Sequence, residues 1–580
     1  MSVSVLARYL LRHRARYAVG IVLLLATNGC ALLIPWVTKD VIDALAGVGG
    51  RVATRATVVQ GALLVVLLAV VQGAVRTASR LALLGVGQTI ETEIRRDAFE
   101  RLLRLEPAFY QARAAGDLMS RVTNDLQAVS MLVGFGLLSL VNTAIVYVGA
   151  LAAMLRIDPW LTVVALAPYP LLVGAARRYN ARAHADALAV QEQLARLSAK
   201  VQENLSGMSV VRAYTLGARE VEAFGRLNRE YLARVLRQAR TQGTFAPVLG
   251  VMSGVGALVV LWVGGGAVVA GRLSLGALVA FTGYVAYLAW PTLALGWVLA
   301  VVRRGLSAMD RVTEILHARP WIADGPLARP APVLAGDLEV RHLTFRYTAE
   351  RPPALADVSL RVPAGTSLAV VGPTGAGKST LLRLLARLWD PPPGTVFVDG
   401  REIHAIRLAD LRRAIGYVPQ EPFLFSRSLR ENVLLAAPAA GLDAAAAVAS
   451  LTGDLAQLPA GWETVVGERG LTLSGGQRQR ATLARALLRE PRILLLDDAL
   501  AAVDVETEAV ILDRLRDRIR GRTALVVTHR LRAAAALDRI VVLDGGRVVE
   551  EGTHEALLGQ DGLYARLWRR QQLERALAAG

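Results

Sequence analysis

Val370-Val-Gly-Pro-Thr-Gly-Ala-Gly-Lys-Ser-Thr380 decides how the rest of the sequence is read. It fits G-x-x-x-x-G-K-[ST], with Gly372, Gly377, Lys378 and Ser379 at the fixed positions and Pro373, Thr374, Gly375 and Ala376 between them. The apolar run 367–371 reads as a buried strand, and 381–387 reads as a helix. The glycines let the backbone curl so that its N–H groups converge on phosphate, beside the positive end of the following helix. Lys378 is expected to reach the β- and γ-phosphates and the Ser379 hydroxyl to ligate Mg²⁺, with Thr380 ending the loop. A chance Gly-rich loop is the bland rival, and the strand–loop–helix context speaks against it. The pattern points to binding of a nucleoside triphosphate.

Composition places this loop in a larger design. Apolar residues make up 54% of the 580 residues, and the mean hydropathy is +0.41. Both exceed the average for a soluble protein. The long uncharged runs all precede Val301. The expected division is a membrane region at 1–316, a Pro- and Gly-rich linker at 317–335, and a soluble region at 336–580. A net charge of +18 fits either nucleic-acid binding or the positive-inside bias of a membrane protein. Arg8, Arg12, Arg14 and Arg16 precede the first apolar run, and Arg95, Arg96, Arg101 and Arg104 follow the second. That placement favours the membrane and argues against a nucleic-acid partner. Lysine occurs only at Lys39, Lys200 and Lys378, so nearly all positive charge is arginine. Cys30 stands alone in an apolar run, which excludes an intrachain disulfide and a Cys-based zinc site. The first apolar stretch is long enough to span and lacks a cleavage site, so no cleavable signal peptide is expected.

Residues 4–14 mix apolar and basic side chains, as in an amphipathic helix on the inner membrane surface. Roughly six spans of bilayer length follow, near 17–37, 57–78, 131–155, 160–176, 245–270 and 274–301. The turns at 156–159 and 271–273 are short and suit the outer side. The stretches 79–130 and 177–244 are long, charged and helical in pattern, and suit excursions into the cytoplasm. At their tips, 106–110 and 206–211 break the helical pattern. These are expected either to be short transverse helices docking on the soluble region or plain corners. Arg76 is the main ionisable group in a span, placed to snorkel or to serve a substrate. Asn142, Tyr147, Thr282, Tyr284, Tyr287 and Trp290 are candidates to line a cavity, and Pro291 to kink the sixth span. Aromatic anchoring and packing are the rival roles.

In the soluble region, Phe345-Arg-Tyr347 precedes the phosphate loop, and the Tyr347 ring is a candidate to stack on adenine, a core role being the rival. The run 491–498 reads as a buried strand ending in Asp497 and Asp498. Asp497 is placed to hold Mg²⁺, and Asp498 the attacking water. Leu473-Ser-Gly-Gly-Gln477 opens a helix, so Ser474, Gly475, Gly476 and Gln477 form a second phosphate-facing patch.

With these motifs in place, nearly the whole chain resembles an ATP-binding cassette (ABC) exporter half-transporter. The resemblance implies an all-α six-helix transmembrane domain followed by an α/β phosphate-loop nucleotide-binding domain, in the bacterial inner membrane. It makes 473–477 the family signature and Gln420 the glutamine joining Mg²⁺ to the membrane-domain interface. It makes 466–470 the exporter-specific loop, Asp504 part of the loop that crosses the dimer, and His529 the contact to the γ-phosphate. It further implies two such domains sandwiching two ATP molecules, each between one chain's phosphate loop and the other's signature. A second half-transporter is therefore expected as partner, with an amphiphilic cargo (drugs, lipids or peptides).

One residue departs from the pattern. The family's base is usually a glutamate directly after the magnesium aspartate, and here it is Asp498. A degenerate, slowly hydrolysing site in a heterodimer is the expectation. Such sites resemble those of the antigen-peptide transporter and of bacterial multidrug pairs, a thermophilic pair among them. The alternatives are a homodimer with active Asp498 sites, or an importer or ATP-gated channel of the same architecture. A DNA-repair or translation ATPase shares the signature but not the spans.

Overall fold

The computed structural model describes residues 2–48, 54–331, 333–435, 437–467, 470 and 472–579. It divides into two compact units, one of Met1–Leu103 with Ala115–Ala318, the other of Arg104–Ala114 with Arg319–Gly580.

The first unit is helical. Its helices are α1 (Ser2–Arg12), α2 (Arg14–Leu45) and α3 (Arg55–Leu102), and, after α4 (Pro107–Gln111) of the other unit, α5 (Ala115–Ser120), α6 (Leu126–Met131) and α7 (Leu137–Ile157). Then come α8 (Pro159–Leu166), α9 (Tyr169–Ser206), α10 (Met208–Ala213), α11 (Gly217–Val269) and α12 (Leu275–His317). Among the described residues, four stretches are long and apolar enough to cross a membrane: Arg14–Leu45, Arg55–Leu102, Ala115–Ile157 and Leu275–His317. Two shorter apolar stretches, Pro159–Leu171 and Gly254–Val269, overlap the remaining two expected spans.

The fourth expected span is split, because α8 stops at Leu166 and α9 restarts at Tyr169 behind Pro168. Proline lacks the N–H that continuous helix bonding needs. The fifth, 245–270, runs along α11, where the side chains of 245–246 and 248–253 lie outside the described ones.

The apolar face of α1 is buried on protein: Val5, Leu6 and Tyr9 pack with Ile90, Ile94, Met309 and Val312. Near the other end of the spans, Asp43 of α2 accepts from Ser274 Oγ (2.9 Å) and from the Gly276 N–H (3.0 Å), tying α2 to the first turn of α12. The third span is not a plain α-helix. Two π turns, Arg121–Asp125 and Leu132–Gly136, interrupt it on either side of α6. The first is fixed to α12, since Arg311 donates to Asp125 from Nε at 2.7 Å and from Nη2 at 2.5 Å.

The second unit carries two sheets. Strands β1 (Leu338–Phe345), β2 (Leu355–Val362), β4 (Val396–Val398) and β5 (Arg401–Glu402) form an antiparallel sheet in the order β2-β1-β4-β5. Strands β3 (Ser367–Val371), β6 (Ile415–Val418), β7 (Ile493–Asp497), β8 (Thr523–Val527), β9 (Arg539–Asp544) and β10 (Arg547–Gly552) form a six-stranded sheet in the order β10-β9-β3-β8-β7-β6. All its pairs are parallel except β9–β10. Strands β3, β7 and β8 are buried along their whole length, as their unbroken apolar runs require of parallel strands covered on both faces.

The expected linker is bound to this unit. Asp399 accepts from the backbone N–H groups of Ala335, Gly336 and Asp337, and Asp410 from that of Ala331. The first tip, 104–114, belongs to the same unit, and Glu106 accepts from the Trp321 N–H at 3.1 Å.

Candidate active site

Sheet order brings the separate motifs together. Strands β3, β8, β7 and β6 lie side by side and parallel, so the segments leaving their carboxyl ends share one edge. The phosphate loop leaves β3, His529 follows β8, Asp497 and Asp498 end β7, and Gln420 follows β6. An open parallel sheet binds ligands at that edge.

Gly372 (φ +147°) and Gly377 (φ +96°) need glycine twice over. Each backbone is left-handed, and a Cβ would collide with the carbonyl oxygen of Leu543 or of Ala354. Lys378 opens helix α13 (Lys378–Leu385) and is 6% exposed. Its ammonium donates to the carbonyl oxygens of Gly372 (2.8 Å) and Pro373 (2.7 Å), both within its own loop. Burial pulls its pKa below the ordinary lysine value, opposed by the carboxylates of Asp498 and Asp497. Those two charges therefore lie within electrostatic reach of the ammonium.

Ser379 Oγ donates to Asp497 Oδ1 at 2.8 Å. Asp497 is 1% exposed, and its Oδ2 has no partner. Burial pushes its pKa up, partly offset by the Ser379 hydrogen bond. A buried carboxylate oxygen left unpaired beside a serine hydroxyl fits a hard cation with oxygen ligands. Asp498 is 9% exposed with φ +49°, and its N–H donates to the Val527 carbonyl at 2.9 Å, fixing it against β8. Asparagine and aspartate tolerate this backbone region better than other side chains. His529 and Gln420 are exposed at the same edge.

Tyr347 is half-buried, with its hydroxyl 3.0 Å from Thr380 Oγ1 and its ring edge-on to Trp389 at 4.7 Å. The ring therefore sits over the end of the phosphate loop and is braced by a tryptophan that the sequence reading had not singled out.

The signature patch is a helix N-terminus. Ser474 Oγ accepts from the Gln477 N–H (3.2 Å) while Gln477 Oε1 accepts from the Ser474 N–H (2.9 Å), a reciprocal capping box on helix Gly475–Leu488. Gly476 lies against the loop before Asp504: a Cβ there would meet the Ala502 carbonyl oxygen at 3.0 Å. Gln479 Oε1 accepts from the Ala502 N–H at 2.8 Å. Asp504 itself caps the next helix through the Thr507 N–H (2.8 Å), which holds its carboxyl below the usual range.

Two supports were missed from sequence. Asp454 grips Arg480 with two bonds (2.8 and 2.7 Å) and accepts from Gln477 Nε2 (3.3 Å). Arg530 pairs with Glu508 and donates to the carbonyls of Ala501 and Val503. Neither belongs to a short motif. In the exporter-specific loop 466–470, Glu468 and Arg469 lie outside the described residues.

Comparison with known proteins identifies both regions of the chain. Residues 17–292 match the family model of the ABC transporter transmembrane region, and 355–501 that of the ABC transporter. The chain is 36% identical over 574 residues to the probable multidrug resistance ABC transporter ATP-binding/permease protein YheI of Bacillus subtilis, covering 97% of each. It is 35% identical to the multidrug resistance-like ATP-binding protein MdlA of Escherichia coli, over 99% of this chain and 97% of that one. Among solved structures, a bacterial Atm1-family ABC exporter with ATP bound is similar at a TM-score of 0.80 and 30% identity, over 96% of this chain and 99% of that one. With its transmembrane and ATP-binding regions in one polypeptide, this chain belongs to the ABC transporter family, as a multi-pass membrane exporter whose ATPase is coupled to transport.

Proposed function

We propose that this chain is one subunit of a heterodimeric exporter that moves amphiphilic cargo across the bacterial inner membrane. In this reading it binds ATP firmly and hydrolyses it slowly at its own site. The observation that carries the proposal is Asp498 where the family has glutamate. Its backbone is fixed by the bond to Val527, so the shorter side chain cannot easily be advanced by a shift of the strand. A carboxylate set back by about 1 Å from the attacking water costs roughly 100-fold in rate.

The binding parts are complete by contrast. Lys378 exchanges its bonds to the Gly372 and Pro373 carbonyls for the β- and γ-phosphates. Ser379, Asp497 and Gln420 hold Mg²⁺, which neutralises phosphate charge, and Tyr347 stacks on adenine. Ser474, Gly475, Gly476 and Gln477 complete the partner's site, where the main hydrolysis occurs, and Asp504 lies at the dimer crossing. The tips α4 and α10 act as docking helices. ATP drives the cycle only through a difference in affinity between the inward and outward states.

A homodimer with two working Asp498 sites is the second reading, favoured by the retained His529. Two measurements separate them. Purified alone, the chain is expected to turn over ATP poorly, and purified with a partner half-transporter that carries the glutamate, well. Asp498→Glu in the assembled complex is expected to raise turnover at this site by about tenfold or more. A fully active homodimer, or no gain from the glutamate, would sink the heterodimer.

A further inference from the structure

The membrane unit contains a cleft of about 370 Å³ between α2, α3, α7, α12 and the second π turn. Part of its wall is polar and self-satisfied. Tyr287 OH donates to Asn28 Oδ1 (2.9 Å), and Asn28 Nδ2 donates to Asn142 Oδ1 (3.0 Å). Part is apolar, with the rings of Phe135 and Trp297 meeting edge to face at 4.8 Å. The third part is cationic: Arg76 and Arg80 both line the cleft, one turn apart on α3.

These two arginines differ from several other cations of the unit. Lys39, Arg95, Arg121 and Arg311 each meet a carboxylate of the same unit. Among the described residues no acid lines the cleft, and neither Arg76 nor Arg80 forms an ion pair. Arg76 lies 76 − 55 = 21 residues into α3 from Arg55, about 30 Å along the axis and so about one hydrocarbon thickness. The pair therefore sits at the depth of one leaflet's headgroups, and the positive-inside bias makes that the inner leaflet. Arginine often snorkels there with its head in water. Here both side chains are exposed and also edge a cleft furnished with aromatic rings and amide hydrogen-bonding groups.

We propose that this cleft is a cargo subsite for the anionic headgroup, phosphate or carboxylate, of an amphiphile taken from the inner leaflet. The guanidinium pair holds the charge in the forked geometry that suits such anions. Phe135 and Trp297 pack against the first part of the apolar body. The volume suits a headgroup and its neighbouring carbons rather than a whole two-chain lipid. The proposal rests on the export reading for its role, but it is tested by binding, which does not depend on transport.

The test is equilibrium binding of labelled dodecyl phosphate to the full transporter in a neutral detergent, with dodecylphosphocholine, dodecyltrimethylammonium and inorganic phosphate as competitors. Dodecyl phosphate is expected to bind tightest. Arg76→Gln with Arg80→Gln is expected to weaken it about tenfold or more, with little effect on dodecylphosphocholine. The paired Lys variant is expected to recover part of the loss, and it keeps the test decisive where the Gln pair lowers the melting temperature. Equal affinity for the phosphate and phosphocholine amphiphiles, or unchanged binding in a folded Gln pair, would overturn the proposal. Competition by inorganic phosphate as strong as by dodecyl phosphate would also overturn it, as a site for soluble anions. A transporter that binds dodecyl phosphate as expected but moves no amphiphile would count against the export reading alone.

Discussion

The phosphate loop and the signature stretch, the two stretches proposed to meet phosphate, are held in opposite ways. Lys378 and Asp497 are buried, and their polar atoms are either occupied by the loop itself or, at Asp497 Oδ2, left without a partner. Ser474 is exposed, and its stretch is already set by the reciprocal cap and by the Asp454–Arg480 pair. The first region must trade internal bonds for those of the nucleotide. The second needs no such exchange and only has to be met. Binding energy is therefore partly consumed by rearrangement at the loop, whereas at the signature the cost is carried by folding.

The sharpest way to break this contrast is at the support of the signature. Asp454→Ala leaves the Arg480 guanidinium, whose side chain is only 12% exposed, without its carboxylate. Breaking such a pair is expected to cost about 3 kcal/mol or more, read as a lower denaturation midpoint of the full chain. A loss below about 1 kcal/mol would mean that the signature is not held as described.

Asp497→Asn probes the other side, with the opposite sign. Burial holds the native carboxyl above the ordinary aspartate range, so the folded chain keeps more protons on this group than the unfolded chain just above that range. Stability from this group then falls as pH rises through the window between the two pKa values. The asparagine variant, without nucleotide or divalent cation, is expected to be more stable than the parent at pH 7.5 by about 1–2 kcal/mol. The gain should shrink as the pH approaches 4. A variant less stable at pH 7.5 would show that Asp497 is matched in the ligand-free protein. Magnesium-dependent ATP turnover is expected to fall in the same variant.

Ser474→Ala is the mildest change. Loss of a helix N-cap costs about 1 kcal/mol, and the Gln477 N–H is left to solvent. The expected result is a small drop in melting temperature, with a larger loss of ATP turnover in the assembled dimer than of ATP binding by the chain alone. Equal losses in both would place the serine at its own chain's nucleotide.

The parts legible in the sequence are those written in contiguous residues. Gly372 to Ser379, Ser474 to Gln477 and Asp497 with Asp498 each fix a local backbone shape, and each appears where its motif puts it. The two-region division was equally legible, because long apolar runs end before Val301. What was not legible depends on residues far apart. The Asp454–Arg480 grip and the hold of Arg530 on Ala501 and Val503 join segments with no common spacing rule. The 104–114 tip was legible only as one of two alternatives, a docking helix or a plain corner; it packs with the soluble unit, where Glu106 accepts from the Trp321 N–H. The break at Pro168 was visible as a proline, yet its effect on the fourth span depended on where the neighbouring helices begin.

The two π turns of the third span also bear on how insertions and deletions act in this protein. A π turn accommodates about one residue more than an α turn, and one residue rotates a helix by roughly 100°. Ser139 and Asn142 reach the cleft from a helix that follows both turns. Deleting one residue within 132–136 would thus turn that π turn into an α turn, leaving the span's length and hydropathy nearly untouched and both side chains on the cleft, whereas the same deletion in the plain α-helix between the turn and Ser139 would swing them off it. Each π turn in this span thus absorbs a one-residue indel, and an ungapped alignment to a relative lacking either turn shifts by one the residues assigned to the cargo wall.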